Sequence, residues 1–248
     1  MPITLRICSC NIHKGFSQLN RRMAIHEMRD CLDTLSPDIC LLQEVQGQHL
    51  RHERRHADWP SQPQHQFLAG TGMHSAYGAN AAYDYGHHGN AVLSRFPITR
   101  TRNRDVTQYR LERRGILHCE LALPGGREVH ALSIHLSLTE RQRRRQLVLL
   151  SDYVEHCVPR NAPLVIAGDF NDWRQLGHKW LCEHLGVREA FTELTGHPAR
   201  SFPSAMPMLR LDRVYLRGFQ IVSAAVHAGK PWSQVSDHAA LSVQARLR

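Results

Sequence analysis

The sequence predicts an α/β chain built mainly of antiparallel sheets covered by helices. Two observations carry that prediction. About nine short runs are apolar or alternate at period two, as buried and half-buried strands do. Three longer stretches instead repeat their apolar residues at helical spacing, and they fall between the strands. At 248 residues the chain can bury a sizeable core. No linker or internal repeat divides it, so residues 1–248 are expected to form one domain.

Residues 4–13, TLRICSCNIH, set Leu5 and Ile7 on alternate positions, as a half-buried strand requires. Ile25, Met28, Leu32 and Leu35 recur at helical spacing, and Pro37 ends that helix. DICLLQEV (38–45) is a second buried strand, and HADWPSQPQHQ (56–66) is a polar loop. NAVLSRFPI (90–98), GILHCELAL (115–123) and VHALSIHLSL (129–138) read as strands, the last two joined in a hairpin by Gly125 and Gly126. Ser137 and Glu140 have capping-box spacing, and the helix they open places Leu147, Leu150 and Val154 on one face. A buried strand over 163–167 precedes a helix over about 175–185, with Leu176, Trp180 and Leu185 inward and Gly186 as its stop. RLDRVYL, FQIVSAAVH and HAALSVQARL close the chain as strands.

Composition narrows the class. The chain is 42% hydrophobic and 21% charged, ordinary for a globular protein. No run approaches the roughly 18 apolar residues of a membrane span, and no signal-peptide pattern opens the chain. The seven cysteines are odd in number and contain no C-x-x-C pair, so neither a disulfide framework nor a zinc site is expected. A reducing cytoplasm and a monomer are expected instead. The net charge of +9 reads either as a solvated basic surface or as attraction to a polyanion. Nucleic acid, a phosphoinositide and peripheral contact with an anionic membrane face all qualify. The basic runs are RHERRH (51–56), ERRG (112–115) and RQRRR (141–145), each of which an exposed face would also explain. Aromatics make up 7%, and no stacking platform is legible.

The strand ends carry the chemistry. One strand ends in Asn11 and His13, the next in Gln43 and Glu44, and another reaches His135. The run at 163–167 delivers Asp169, Asn171 and Asp172, Asp212 sits between apolar neighbours, and Asp237 and His238 precede the last strand. A lone strand-end aspartate is commonly a turn former, but six such sites in one chain make a pattern. Carboxylate and amide oxygens suit a hard cation such as Mg²⁺ or Mn²⁺. Histidines suit proton transfer near neutral pH. Together they describe a phosphoester hydrolase.

The ordered motifs CNIH (10–13), LQEV (42–45), GNAVLSR (89–95), IHL (134–136), GDFN (168–171), LDRVY (211–215) and SDH (236–238) cover nearly the whole chain, which resembles the endonuclease/exonuclease/phosphatase superfamily. The resemblance implies a four-layer α/β sandwich of two mixed sheets with helices outside. It implies a metal held by Glu44, with Asn11 and Asp237 beside it. It gives His238 the role of base or phosphate contact, oriented by Asp212, and Asp169 that of positioning or deprotonating water, so the base stays open between Asp169 and His238. Asn171 would bind the phosphate, and His135 would contact it or protonate the leaving group. Asn90 would line the cleft, and Arg113 or Arg114 would contact phosphate. One departure concerns YDYGHHGNA, which lacks the glutamate that orients the acid histidine in pancreatic deoxyribonuclease; His87 and His88 there read as loop residues.

The expected function is a metal-dependent phosphodiesterase or nuclease acting on nucleic acid. The alternatives are hydrolysis of a lipid or inositol phosphate head group, and a non-catalytic binding module on the same fold. Substrate choice would lie in the segments 46–66, 72–90 and 195–210.

Overall fold

A computed structural model describes residues 3–18 and 21–248. Strands β1 (Thr4–Asn11), β2 (Ile39–His49), β3 (His74–Tyr83), β4 (Gly86–Ser94), β11 (Phe219–His227) and β12 (Ala240–Leu247) form one sheet in the order β11-β12-β1-β2-β4-β3. Strands β5 (Ile98–Asp105), β6 (Gly115–Leu123), β7 (Arg127–His135), β8 (Leu164–Asp169), β9 (Arg188–Glu189) and β10 (Asp212–Arg217) form a second, ordered β5-β6-β7-β8-β10-β9. Each sheet holds one parallel pair, β1 with β2 and β7 with β8; every other pairing is antiparallel.

Alternation along the strands builds the layers. Leu5, Ile7, Ile39 and Leu41 face Leu117, Cys119, Val129 and Ala131 across the gap between the sheets. On the opposite face of the first sheet, Cys8, Cys10, Cys40 and Leu42 pack against Ile25, Met28 and Leu32 of α1 (Ile25–Leu35) and Leu68 of α3 (Gln64–Ala69). On the outer face of the second, Leu132, Ile134 and Ile166 meet Leu147, Leu150 and Val154 of α4 (Glu140–Cys157) and Leu181 and Leu185 of α5 (His178–Leu185). The result is an α/β sandwich of four layers. α2 (Leu50–Arg55) and α6 (Ala190–Thr195) complete the helices, none of which is long and apolar enough to cross a membrane.

Among the described residues the structure adds three strands to the nine expected, and all lie at sheet edges. β3 carries mostly small and polar residues, β5 is half charged, and β9 has two residues. An edge strand packs little of its surface, so apolar alternation is weak, and the charges on β5 discourage pairing with another chain. Three local readings change. Ser137 is not a cap: α4 starts after Thr139, and Ser137 instead exchanges two hydrogen bonds with Gln146, at 2.8 and 3.0 Å. α5 starts at His178, leaving Leu176 half exposed. The last residues of the 56–66 loop open α3. The Gly125–Gly126 turn forms as expected, with positive φ at both residues.

A hydrogen-bonded chain crosses the outer face of the second sheet. Tyr153 Oη of α4 lies 3.0 Å from His118 Nδ1, and His118 Nε2 lies 2.9 Å from His130 Nδ1. His130 Nε2 is 3.2 Å from Glu128 Oε1. Burial holds His118 at about 3 and lowers His130 as well, so both rings are neutral. Their folded values lie below the roughly 6.5 of an unfolded chain. The stabilisation is therefore complete above about pH 6.5 and is lost as pH falls towards 3. Thermal unfolding should show Tm falling between about pH 7 and about pH 5, each ring contributing at most about 1.4 kcal/mol per pH unit. His118→Phe should flatten that slope; an unchanged slope assigns the acid sensitivity elsewhere.

Candidate active site

Strand direction gathers the polar residues. The parallel pairs point the ends of β1, β2, β7 and β8 towards one edge of the sandwich, and β10 and β12, antiparallel to β8 and β1, begin there. Asn11 ends β1, His135 ends β7, Asp169 ends β8, and Asp212 opens β10. His135 and Asp212 flank Asp169 directly in register. Asp237 and His238 lie just before β12. Asn11 Nδ2 donates across the gap to Asp169 Oδ2 (3.2 Å) and also reaches Glu44 Oε1 (3.4 Å), so the two sheets contribute to one cluster.

Backbone irregularities aim three of these side chains. Between Leu42 and Val45, β2 advances three residues while β4 advances two, a β-bulge that holds Glu44 at φ 56°. The bulge removes Glu44 from the strand's alternation and turns it into the cleft. Gly168 holds φ 147°, and a Cβ there would collide with the carbonyl of Ile134. Its absence lets β8 lie close against β7 as Asp169 emerges. Asn171, at φ 50°, donates its backbone N–H to Asp169 Oδ1 (2.9 Å) and Nδ2 to the Leu136 carbonyl (2.9 Å). Asp172 turns away and accepts from the backbone N–H groups of Leu176 and Gly177, the turn-forming role common to strand-end aspartates.

Asp212 Oδ2 lies 2.8 Å from His238 Nδ1, and His238 Nε2 is 3.7 Å from Asp169 Oδ2. His135 Nε2 approaches the same Asp169 oxygen at 3.4 Å. Asp169, Asp212 and His238 bring ligand atoms within 4.8 Å of one another, close enough to hold a metal ion. Burial alone would push the His238 imidazole down, but Asp212 and Asp169 outweigh it and raise it to about 10. Burial, with the Asp212 charge adding and His238 opposing, lifts Asp169 to about 6. Burial, reinforced by Arg114, holds His135 well below its usual value, so that ring is neutral. Burial also pushes Glu44 up, yet neighbouring positive charge outweighs it and lowers Glu44. With His135 uncharged, Lys14, 3.3 Å from Glu44 Oε2, is the permanent cation beside it.

One expected residue sits differently. Asn90 is 1% exposed, and its Nδ2 donates to the carbonyls of Gly115 and Ser133; it ties the sheets together behind the cleft rather than lining it. Arg114 borders the cavity that holds Glu44, its guanidinium fixed by Glu112 (2.9 Å) and the Leu136 carbonyl (3.2 Å). His87 and His88 are strand residues of β4, not loop residues, and His88 lines the same cavity as Glu44. The sequence reading passed over Lys14, Ser236 and Phe202. Ser236 Oγ donates to the Asn11 carbonyl (2.6 Å) and accepts from the His238 backbone N–H (3.2 Å); the Phe202 ring lies 5.0 Å from the His238 ring. The one available signal was proximity to CNIH and SDH. Two arginines of RQRRR are engaged on their own segment: Arg143 is buried on the carbonyls of Ser137 and Leu138, and Arg144 pairs with Glu140 (2.7 Å).

The family model for the "Endonuclease/Exonuclease/phosphatase family" matches residues 8–238, from β1 to His238. The chain belongs to the endonuclease/exonuclease/phosphatase family. A protein of Escherichia coli K12, described as "Uncharacterized protein YbhP", is 43% identical over 246 residues, 98% of this chain and 97% of its own. Family structures share the fold at lower identity. The endonuclease/exonuclease/phosphatase of Beutenbergia cavernae has a TM-score of 0.76 at 21% identity, covering 98% of this chain and 72% of its own. D. rerio TDP2, complexed with a single-strand DNA product, has a TM-score of 0.71 at 17% identity, covering 98% of each chain.

The close approach at Gly168 is testable without an assay of activity. Gly168→Ala should lower unfolding stability by about 2–4 kcal/mol, from left-handed strain plus displacement of β7. Denaturant unfolding measures it, and a change below about 0.5 kcal/mol would mean the backbone relaxes freely there.

Proposed function

We propose that this chain is a divalent-metal-dependent phosphodiesterase that hydrolyses nucleic acid. The observation that carries the reading is the meeting of Asn11, Glu44, His135, Asp169, Asp212 and His238 at one end of the sandwich. The net charge of +9 favours a polyanionic substrate. The D. rerio TDP2 complex supplies a precedent on this fold for a single-strand DNA product.

The donor set fits a hard cation. Asp169 and Asp212 are paired side by side, and burial with that like charge raises Asp169 to about 6. A divalent ion relieves that crowding, and oxygen donors suit Mg²⁺ or Mn²⁺. Glu44, with Asn11 and Asp237, would hold it. Bound there, the ion supplies charge neutralisation to the phosphate oxygens.

The chain's own groups do the rest. Asp212 accepts from His238 Nδ1–H, fixing the ring so that Nε2–H faces Asp169. His238 is protonated at neutral pH, so it acts as a donor to a phosphate oxygen rather than as the base. Asp169 accepts the proton of the attacking water. Asn171 holds the Asp169 carboxylate and keeps one amide N–H for the phosphate. His135 presents a neutral ring beside Asp169, and Arg114 meets the substrate at the rim.

Purified protein should cleave DNA or RNA with Mg²⁺ or Mn²⁺ and lose that activity to a chelator. His238→Ala should lower kcat by about a hundredfold or more in protein that still unfolds cooperatively, with a lower Tm because Asp212 and Asp169 lose their buried counter-charge. Glu44→Gln should raise the Mg²⁺ concentration for half-maximal rate by more than about tenfold. Release of phosphate or head group from inositol phosphates or sphingomyelin, with nucleic acids untouched, would move the substrate to the other branch. A near-normal rate in His238→Ala would remove the role assigned to that ring.

A further inference from the structure

A second cavity, about 490 Å³, opens beside the Glu44 end of the cleft. It lies between the tip of the β3–β4 hairpin, which carries Tyr83 and Tyr85, and α2, which carries His52 and Arg55. Lys14 and His88 line both this cavity and the one containing Glu44, so the two spaces adjoin. Its volume is that of a small-ligand site, where the accepted range runs from about 300 to about 1,000 Å³.

Two properties specify the occupant. Its described lining includes four cations, Lys14, Arg21, Arg22 and Arg55, and no carboxylate; Lys14 and Arg22 pair outside it with Glu44 and Glu27, so Arg21 and Arg55 supply most of its positive charge. That set favours an anion. The walls are aromatic: His49 and His52 stack at 3.6 Å, His52 contacts Phe16 at 4.8 Å, and Tyr83 and Tyr85 pair at 4.6 Å, with Trp59 outside the lining 5.1 Å from His52. Burial, then the neighbouring His49, holds His52 at about 4, and burial lowers His49 as well, so both are uncharged rings at neutral pH. At 7% aromatic the sequence shows no stacking platform because histidines supply part of this one, and folding brings His49 onto Tyr85. Cations alone would serve an inositol phosphate or a lipid head group. Cations interleaved with rings serve a nucleotide, whose base stacks while its phosphate pairs.

We propose that this cavity is the subsite for the nucleoside next to the scissile phosphate, its base held against the rings of Tyr83 and His52 and its outer phosphate by Arg55. The proposal rests on the nuclease reading above and names where that substrate's sequence-tolerant grip lies. Base stacking of this kind is strong enough to show as a tenfold or larger effect on binding.

The test uses the full chain with Mn²⁺ and two single-stranded oligonucleotides. One is fully based, and the other carries tetrahydrofuran abasic residues throughout its central segment. Wild type should cleave the based strand with at least about tenfold lower KM. Tyr83→Leu should erase that preference, and Tyr83→Phe, which keeps the ring, should restore it. Arg55→Gln should raise KM for both strands alike. Tm of each variant verifies folding, and His52→Leu, which removes the other ring assigned to the base, should also erase the preference and keeps the test decisive if Tyr83→Leu unfolds. Cleavage of both strands with equal KM by wild type, or an undiminished preference in a folded Tyr83→Leu, overturns the subsite while leaving the nuclease reading intact. No cleavage of either strand, alongside head-group release from inositol phosphates, overturns both.

Discussion

The site depends on a polar seam between the two sheets. Most of the sheet interface is apolar and fixes separation but not position, since burial has no direction. At the cleft end the contacts become directional. Asn11 reaches Asp169, Gln43 Nε2 donates to Ser133 Oγ (3.2 Å), and Ser133 Oγ donates back to the Leu42 carbonyl (3.1 Å). Asn90 adds two bonds to β6 and β7. Each buried donor finds an acceptor only in one alignment of the sheets, and a buried polar group left unpaired costs about 1–3 kcal/mol. The seam therefore sets the register in which Glu44 from one sheet and Asp169 from the other face the same space.

Within that frame, charge placement separates three chemically similar groups. The two histidines end up in opposite states although both are buried. His238 lies between Asp212 and Asp169 and keeps its proton. His135 has Arg114 adding to burial and stays neutral. Asp169 is the common neighbour of both rings, and its raised value follows from burial beside a second carboxylate. Divergent environments for like residues are the usual origin of distinct acid and base roles.

Much of this was legible in the sequence. Central strands are buried on both faces, so their apolar runs announce them, and strand ends in GDFN, LQEV and SDH mark where polar groups leave the core. The edge strands β3, β5 and β9 were not legible because they bury too little to impose alternation. Glu44 shows a different limit. Its residue type pointed to a ligand, but its direction comes from a bulge that only pairing with β4 reveals. Asn90 looked like a cleft residue for the converse reason: its neighbours in sequence lead to the cleft, while its hydrogen bonds lead into the seam. The ring cluster around His52 escaped notice because nothing local marks it.

The placement of β1 has a consequence for biosynthesis. The first strand lies between β2 and β12, pairing residues 4–9 with residues 241–246. Ser236 closes the same junction through the Asn11 carbonyl. A nascent chain therefore holds β1 with one flank open until residues 241–246 have appeared. Contacts so distant in sequence form late, and unpaired strand edges invite association with other chains in the interim. His238 and Asp237 arrive with that same final segment. A product truncated before residue 236 inherits an unsheltered β1 and lacks the imidazole that pairs with Asp212.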